Sequence, residues 1–425
     1  MNNIGLELYN LVVRLFPICR SITGNGVRQT LTILSELIPI SIYEVPTGTK
    51  VFDWIVPKEW NIIDAYVIDP SGNKIIDFKT NNLHILGYSI PINEEIELDE
   101  LQNHLFSMEE MPEAIPYMTS YYADNWGFCI SDIQRKSLLP GKYKIFIDSS
   151  LNNGHLTYGE IMLPGKIKKE ILISTYICHP SLANNELSGP VVTTYIAKWL
   201  NSLDRKYTYR IIFIPETIGS LTYISRNFLS LKKNVIAGFN VTCIGDNNSY
   251  SFLSSRYGNT YADKIADNIF RYYYPDHKKY NYLERGSDER QFCSPGIDLP
   301  IVSIMRTKYG EYPEYHTSLD NLDYISPEGL NGGYSLLKRC LEAIELNVIY
   351  KSKCIGEPQL SKRGLYPTIS SKQTRKIVSN MMNFLAYADG TNDLLDISNI
   401  INVPIFELIP IVLELEQNDL VFSKK

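Results

Sequence analysis

The segment EILISTYICHPSLANNELSGPVVTTYIAKWLNSL, residues 170–203, decides the fold class. Its first part, EILISTYI, is a nearly continuous apolar run, which is typical of a strand buried on both faces of a sheet. Its last part, GPVVTTYIAKWLNSL (189–203), has the apolar spacing of a helix. The strand-like YRIIFIP (209–215) and the helical pattern after it repeat this order. Strands that alternate with helices predict an α/β sheet covered on both sides.

The alternation extends on both sides of this segment. Helices are predicted at residues 5–16, 28–40, 261–273 and 327–350, and strands at 234–245 and 299–306. Between residues 41 and 165 the pattern changes to short segments rich in β-branched and aromatic residues, which are separated by turn signals such as PSGN and LPGK. These segments predict antiparallel hairpins.

The C-terminal part differs again from the α/β pattern. After residues 351–364, which have linker composition, three predicted helices and a terminal strand resemble a small winged-helix module. We therefore predict three domains. They are an α/β/α domain with a mixed sheet at 1–58 and 134–350, an inserted small β domain at 59–133, and a winged-helix domain at 356–425.

Composition and charge exclude several classes of protein. The 425 residues have 44% hydrophobic content and a net charge of −6, which argues against a nucleic-acid or membrane surface. Residues 356–425 carry seven Lys or Arg against eight Asp or Glu, so the winged helix is expected to serve packing or homo-oligomerisation instead of DNA binding. Seven scattered cysteines without a CxxC pair predict reduced thiols. Since Glu7 stands where a signal peptide would be basic, we expect a cytoplasmic protein.

Four polar residues follow or precede the predicted strands at positions suited to a ligand site. His179 and Glu216 each follow an apolar strand, His316 follows the strand-like LPIVSIMR, and Asp288 precedes that strand. Open α/β sheets bind ligands at such loops, and imidazole with carboxylate is a suitable donor set for zinc. The alternative is that these side chains cap helices and pair with arginines.

The ordered motifs STYICHPSLANNELSGPVV, IPETIGS, RGSDERQF and YHTSLDNLD resemble those of the co-catalytic zinc aminopeptidase superfamily. More narrowly, the whole chain resembles a bacterial branch of aminopeptidase-like proteins with an inserted β domain and a C-terminal winged helix. Members of that branch are often linked to surface-polysaccharide gene clusters. The resemblance implies an α/β/α sandwich with a mixed sheet and two zinc ions bridged by a carboxylate.

The resemblance also assigns roles to individual residues. His179 and His316 match histidine ligands, Asp288 matches an aspartate ligand, and Glu216 matches the catalytic glutamate. The bridging aspartate position falls on Asn185.

Two departures from the family pattern bear on the metal. A neutral amide at Asn185 bridges two dications poorly, and Thr217 stands where the family has a second glutamate. We therefore expect that the site binds one zinc ion instead of two, and that Glu216 is either a ligand or the base. Glu186 is an alternative source of a carboxylate ligand.

The function that the resemblance implies is a metal-dependent hydrolase of aminopeptidase type. It would cleave an amide bond in a peptide or an aminoacyl or amino-sugar conjugate, using metal-bound water and Glu216 as base. Two alternatives stay open: a non-catalytic binding or assembly protein linked to surface-polysaccharide metabolism, and amide cyclisation at a similar one-zinc site.

Several further residues are candidates for supporting roles. Tyr315 and Arg306, with Arg285 and Arg290, are candidate substrate contacts, although surface salt bridges would explain any one arginine. Asp320 or Asp323 could orient His316, with helix capping as the simpler role. Trp126 could cover the substrate, with core packing as the simpler role.

Overall fold

The computed structural model describes residues 4–365 and 372–424. Contacts divide the chain into two compact units, Met1–Ala262 with Lys278–Ser335, and Asp263–His277 with Leu336–Lys425. The helices are α1 Ile4–Leu15, α2 Asn25–Ser35, α3 Leu98–Leu101, α4 Asp132–Lys136, α5 Ser188–Asn201, α6 Ile218–Asn234, α7 Tyr261–Tyr273, α8 Glu289–Phe292, α9 Pro327–Leu346, α10 Lys372–Tyr387, α11 Leu394–Ile401 and α12 Ile405–Gln417.

The strands are β1 Ser41–Pro46, β2 Lys50–Val51, β3 Trp54–Ile55, β4 Glu59–Ile68, β5 Lys74–Asp77, β6 Ile92–Glu97, β7 Leu105–Phe106, β8 Phe128–Cys129, β9 Lys142–Asn152, β10 His155–Leu163, β11 Ile167–Tyr176, β12 Tyr207–Ile214, β13 Val235–Val241, β14 Ser251–Leu253, β15 Lys278–Tyr280, β16 Ile301–Met305, β17 Ile349–Ser352, β18 Asp389–Asp393 and β19 Val421–Lys424.

The first unit is built on an eight-stranded sheet with the order β1-β10-β12-β11-β13-β16-β14-β15. Its centre, β12-β11-β13-β16, is parallel, whereas β10 pairs with β12 and β14 pairs with β16 in antiparallel fashion. Residues 171–176 of β11 and the connection after it are buried. The predicted α/β fold with a mixed sheet is thus confirmed, and the apolar run that predicted it lies at the centre of the sheet.

A smaller antiparallel sheet with the order β5-β4-β9-β6 accompanies the large sheet in the first unit. Strand β9 pairs with β4 from Glu59↔Asn152 to Ile68↔Lys144 and with β6 on its other side. The predicted limits of the inserted domain stay a prediction, and β9 lies beyond its predicted end at residue 133.

The second unit contains α10–α12 and a three-stranded sheet with the order β18-β17-β19. Helix α9 was predicted to extend to residue 350, but it ends at Leu346, and β17 begins at Ile349. The prediction was wrong here because the β-branched residues that follow the helix pair with β19. Residues 366–371 and 425 of the predicted winged-helix domain, and residues 1–3 of the first domain, lie outside the described residues.

No single helix in the described ranges is long and apolar enough to cross a membrane. One helix pair, α11 with α12, passes that test by length and composition alone, and the pair is bent by 113°.

Candidate functional site

The candidate site lies where the two central strands β11 and β12 end. These strands are parallel and are paired through Tyr176↔Ile214, so the residues that follow them emerge at the same edge of the sheet. His179 follows β11 and Glu216 follows β12, and Nε2 of His179 is 3.8 Å from Oε2 of Glu216. The backbone N–H of Glu216 donates to Sγ of Cys178, which ties the two loops together.

Asp288 and His316 approach the same place from other loops. Oδ1 of Asp288 accepts hydrogen bonds from the backbone N–H of Thr217 and the hydroxyl of Ser220, each at 2.8 Å, at the start of α6. The ring of His316 lies 5.4 Å from the ring of His179. The structure therefore brings His179, Glu216, Asp288 and His316 together, as the sequence predicts.

Several buried polar atoms at this site have no hydrogen-bond partner. Those that could bind a metal at the predicted ligands are Oδ2 of Asp288, Nε2 of His316 and Oδ1 of Asn185. Buried polar atoms are normally paired, so an unpaired group requires a reason such as an ion. Each of these atoms is an oxygen or nitrogen of a kind that binds divalent metals, zinc included, and each belongs to a residue predicted as a ligand. The donor types therefore suit a zinc ion. No three of the described residues His179, Glu216, Asp288 and His316 have ligand atoms that all lie within 4.8 Å of one another, so these side chains would have to move closer to bind it.

The charges of the site are set by burial. Burial raises the pKa of Glu216 to about 8, and the charge of Asp288 adds to the effect. Burial likewise raises the pKa of Asp288 to about 7. For His179 and His316, burial lowers the pKa to about 3 in each case. Neutral imidazole is the form that binds a metal, and a cation among the buried carboxyl groups would favour their ionised form.

Glu186 has a role that the sequence did not reveal. Its Oε2 is 2.8 Å from Nδ1 of His179, so an N–H at Nδ1 donates to it and Nε2 is left to face Glu216. Arg20, itself buried, lies 3.7 Å from Oε1 of Glu186 and donates to the carbonyl oxygen of His179. Partners of this kind fix the orientation of ligating histidines. The sequence suggested Glu186 as a replacement ligand, whereas the structure places it on the Nδ1 side of the ring.

Cys178, His179 and Glu186 form a second arrangement that could hold an ion, because their donor atoms lie within 4.8 Å of one another. One observation counts against it: the contact between Nδ1 of His179 and Oε2 of Glu186 is already a hydrogen bond of 2.8 Å.

The two residues that depart from the family pattern lie in unusual backbone. Asn185 belongs to a π-helical turn, Ala183–Leu187, which is a kind of turn often found at functional sites. Its Nδ2 donates to the hydroxyl of Tyr176 at 2.7 Å, so its carbonyl oxygen is the free end. Thr217 has a φ of 62°, a strained value for a β-branched residue, and its hydroxyl accepts a hydrogen bond from Nη2 of Arg290.

The candidate supporting residues divide into those near the site and those outside it. The ring of Tyr315 stacks on that of His316 with centroids 3.9 Å apart, so Tyr315 fixes the histidine. Arg306 is not at the site, because its Nε donates to the carbonyl of Ser249 and its guanidinium lies 3.8 Å from the ring of Tyr250. The prediction that Arg306 contacts substrate is not supported by this placement.

The contacts of Asp320 and Trp126 agree with the simpler roles, which are helix capping and core packing. Asp320 accepts the backbone N–H groups of Asn184 and Asn185, at 2.6 and 2.9 Å, and thus caps the π-helical turn. Trp126 stacks on the ring of His104 with centroids 3.7 Å apart and packs against the hydrophobic core.

A cavity of about 430 Å³ opens over the site, and His179, Glu216, Arg290 and His316 are among its lining residues. Tyr117 covers both histidines, because its ring lies 5.1 Å from the ring of each. Its backbone N–H donates to the carbonyl of His316 at 2.8 Å. Tyr117 was not predicted as a site residue, although it belongs to the tyrosine-rich segment YMTSYY at 117–122, which could have indicated it.

The fold is aminopeptidase-like. The zinc aminopeptidase BSAP from Bacillus subtilis has a similar fold, with a TM-score of 0.57 and 13% identity over 80% of this chain and 94% of that one. The chain belongs to the family described as "Domain of unknown function (DUF4910)", whose model matches residues 9–347, and a model described as "winged helix-turn-helix" matches residues 348–423.

Two more similar proteins come from Clostridium acetobutylicum. The first is named "Putative polysaccharide biosynthesis protein with aminopeptidase-like domain", and it is 47% identical over 93% of this chain and 91% of its own length. The second is a crystal structure of a "putative peptidase", with a TM-score of 0.93 and 44% identity over 99% of this chain and 96% of that one. The predicted aminopeptidase-like fold with a C-terminal winged helix is thereby confirmed.

Proposed function

We propose that this protein is a zinc-dependent hydrolase that cleaves an amide bond. The observation that carries the proposal is the group of unpaired donor atoms, Oδ2 of Asp288 and Nε2 of His316, beside the pair formed by His179 and Glu216. A site built for a structural purpose alone would pair these buried atoms with one another. The open cavity above them supplies room for a substrate.

Each residue then has a role in amide hydrolysis. His179, Asp288 and His316 would hold the ion, which when bound supplies polarisation of the amide carbonyl and acidification of water. Glu216 is the base: its carboxylate takes a proton from the attacking water and gives it to the leaving amine. Burial raises the pKa of Glu216, and a cation beside it would favour its ionised form, which is the form that accepts a proton from water.

We further propose that the site holds one zinc ion. The amide of Asn185 carries no charge, and one of its ends is committed to Tyr176. Thr217 offers no carboxylate, and its hydroxyl is bound to Arg290, a cation that would repel a second metal ion. One zinc ion with an open position is sufficient for hydrolysis in other enzymes.

Metal removal tests the proposal. The purified protein is expected to contain one zinc ion per chain by elemental analysis, and to release amine from aminoacyl or acylated-sugar amides. Dialysis against a chelator should abolish amine release, and added zinc should restore it, whereas added magnesium, which prefers oxygen ligands, should not.

Two results would count against the proposal in different ways. Undiminished amine release from metal-free protein would exclude the role of zinc. Zinc binding without hydrolysis of any amide would favour a non-catalytic role in assembly, in keeping with the polysaccharide biosynthesis that the name of the Clostridium acetobutylicum relative records.

A further inference from the structure

The charged groups in the wall of the cavity are few. Of the described residues that line it, Glu216 is the only acidic one, and Arg290 is the only lysine or arginine. The two lining histidines are proposed metal ligands, and histidine binds zinc as neutral imidazole. Apart from the proposed zinc ion, the cavity therefore offers a ligand one positively charged side chain, next to the glutamate that we propose as the base.

Within the part of the chain that the structure describes, Arg290 forms no salt bridge, although its charge favours the ionised forms of Glu216 and Asp288 nearby. Its side chain makes one hydrogen bond, from Nη2 to the hydroxyl of Thr217, and its buried Nε has no partner. That hydrogen bond fixes one end of the guanidinium and leaves other N–H donors free. A planar guanidinium held in this way is suited to two parallel hydrogen bonds with a carboxylate.

The remaining wall is mostly apolar. Its apolar and aromatic members include Ile22, Trp54, Tyr117, Met118, Tyr121 and Ile218. Such a wall is suited to an uncharged acyl group. It gives no acidic partner to a substrate with a free ammonium group, because Glu216 is already assigned to proton transfer.

We propose that the substrates are N-acylated amino acids, and that Arg290 binds their carboxylate. This inference rests on the proposed amide hydrolysis and names its substrate class. In the reaction, the oxygen of water bonds to the acyl carbon as the C–N bond breaks. One proton of the water passes through Glu216 to the amide nitrogen, and the second proton of the water is also transferred to that nitrogen. The products are therefore the carboxylate of the acyl group and an amino acid with a free ammonium group.

A matched pair of probes tests the role of Arg290. N-benzoylglycine carries the carboxylate, and N-benzoylglycinamide has a neutral carboxamide in its place. The zinc-loaded protein is expected to release benzoate from the acid with a kcat/KM about 10- to 100-fold higher than from the amide, the range of a charged hydrogen bond. L-phenylalaninamide, which has a free ammonium group and no carboxylate, should be the poorest substrate, measured by ammonia release.

The Arg290→Met variant should lose this preference. The ratio of kcat/KM between acid and amide is expected to fall to within about threefold of unity, mainly through a higher KM for the acid. Arg290→Lys should keep part of the preference, because it keeps the charge and loses the planar fork. Arg14→Met is the matched control: Arg14 is exposed, forms a salt bridge with Glu36 and does not line the cavity. It should leave the ratio unchanged.

A binding measurement separates this inference from the proposed function. Calorimetry with the Glu216→Gln protein compares the Kd values of N-benzoylglycine and N-benzoylglycinamide without turnover, and then repeats the comparison with Arg290→Met added. Tighter binding of the acid that depends on Arg290, without hydrolysis by the wild type, would reject hydrolysis and keep the carboxylate site. Hydrolysis or binding with no preference for the acid would overturn the inference and leave hydrolysis standing.

Discussion

Replacing Glu216 with glutamine is expected to leave zinc bound and to lower amide hydrolysis by roughly 10²- to 10⁴-fold, the contribution of a well-placed general base. Glutamine has nearly the same shape as glutamate, but its amide cannot accept the proton of the attacking water. The side chain is one-fifth exposed, and its Oε2 is 3.8 Å from Nε2 of His179, so it lies beside a proposed zinc ligand. Because a base acts in the chemical step, we expect the loss mainly in kcat. The measurement is steady-state release of amine, with zinc content determined on the same samples.

A control separates the role of this position from a general effect of lost charge. Glu311 is an exposed glutamate 4.0 Å from Lys308, and it does not line the cavity, so Glu311→Gln should keep the wild-type rate. If Glu216→Gln hydrolyses its substrate as fast as the wild type while holding zinc, Glu216 is not the base.

Replacing His316 with alanine is expected to have the largest effect on metal binding. If the 10–16 kcal/mol typical of a structural zinc site is shared among the three proposed ligands, one ligand is worth roughly 3–5 kcal/mol, or more than 100-fold in zinc affinity. Nε2 of His316 is buried without a hydrogen-bond partner, so its removal breaks no hydrogen bond. The measurement is competition for zinc with a chromophoric chelator.

The matched control for this change is a histidine away from the cavity. The side chain of His155, in β10, is nearly half exposed, and His155→Ala should keep the wild-type zinc affinity. Equal zinc affinity in His316→Ala and the wild type would show that His316 is not a ligand.

The sequence predicted the large sheet because its central strands are buried on both faces. The runs ILISTYI and YRIIFI are nearly continuous in apolar residues, which is typical of strands buried on both faces of a sheet. The residues after these runs could be placed at one edge of the sheet because parallel strands end together. This is why the sequence predicted that His179 and Glu216 lie close together.

Contacts between distant loops could not be predicted in the same way. Asn185 and Glu186 are adjacent in sequence, yet one faces Tyr176 and the other faces Nδ1 of His179, because they lie on a π-helical turn. The spacing rules for strands and α-helices do not apply to such a turn. The surroundings of Arg306 could not be predicted for a related reason, since its stacking partner Tyr250 belongs to a loop that is distant in the sequence.

The central claim is that one zinc ion lies between His179, Asp288 and His316, with Glu216 beside it. Anomalous diffraction at the zinc absorption edge, from crystals of the zinc-loaded protein, locates the ion directly. The account predicts one strong peak about 2.0–2.2 Å from Nε2 of His179, Oδ2 of Asp288 and Nε2 of His316. A peak on the other side of the ring, between Nδ1 of His179, Cys178 and Glu186, would contradict it, as would the absence of any peak at the cavity.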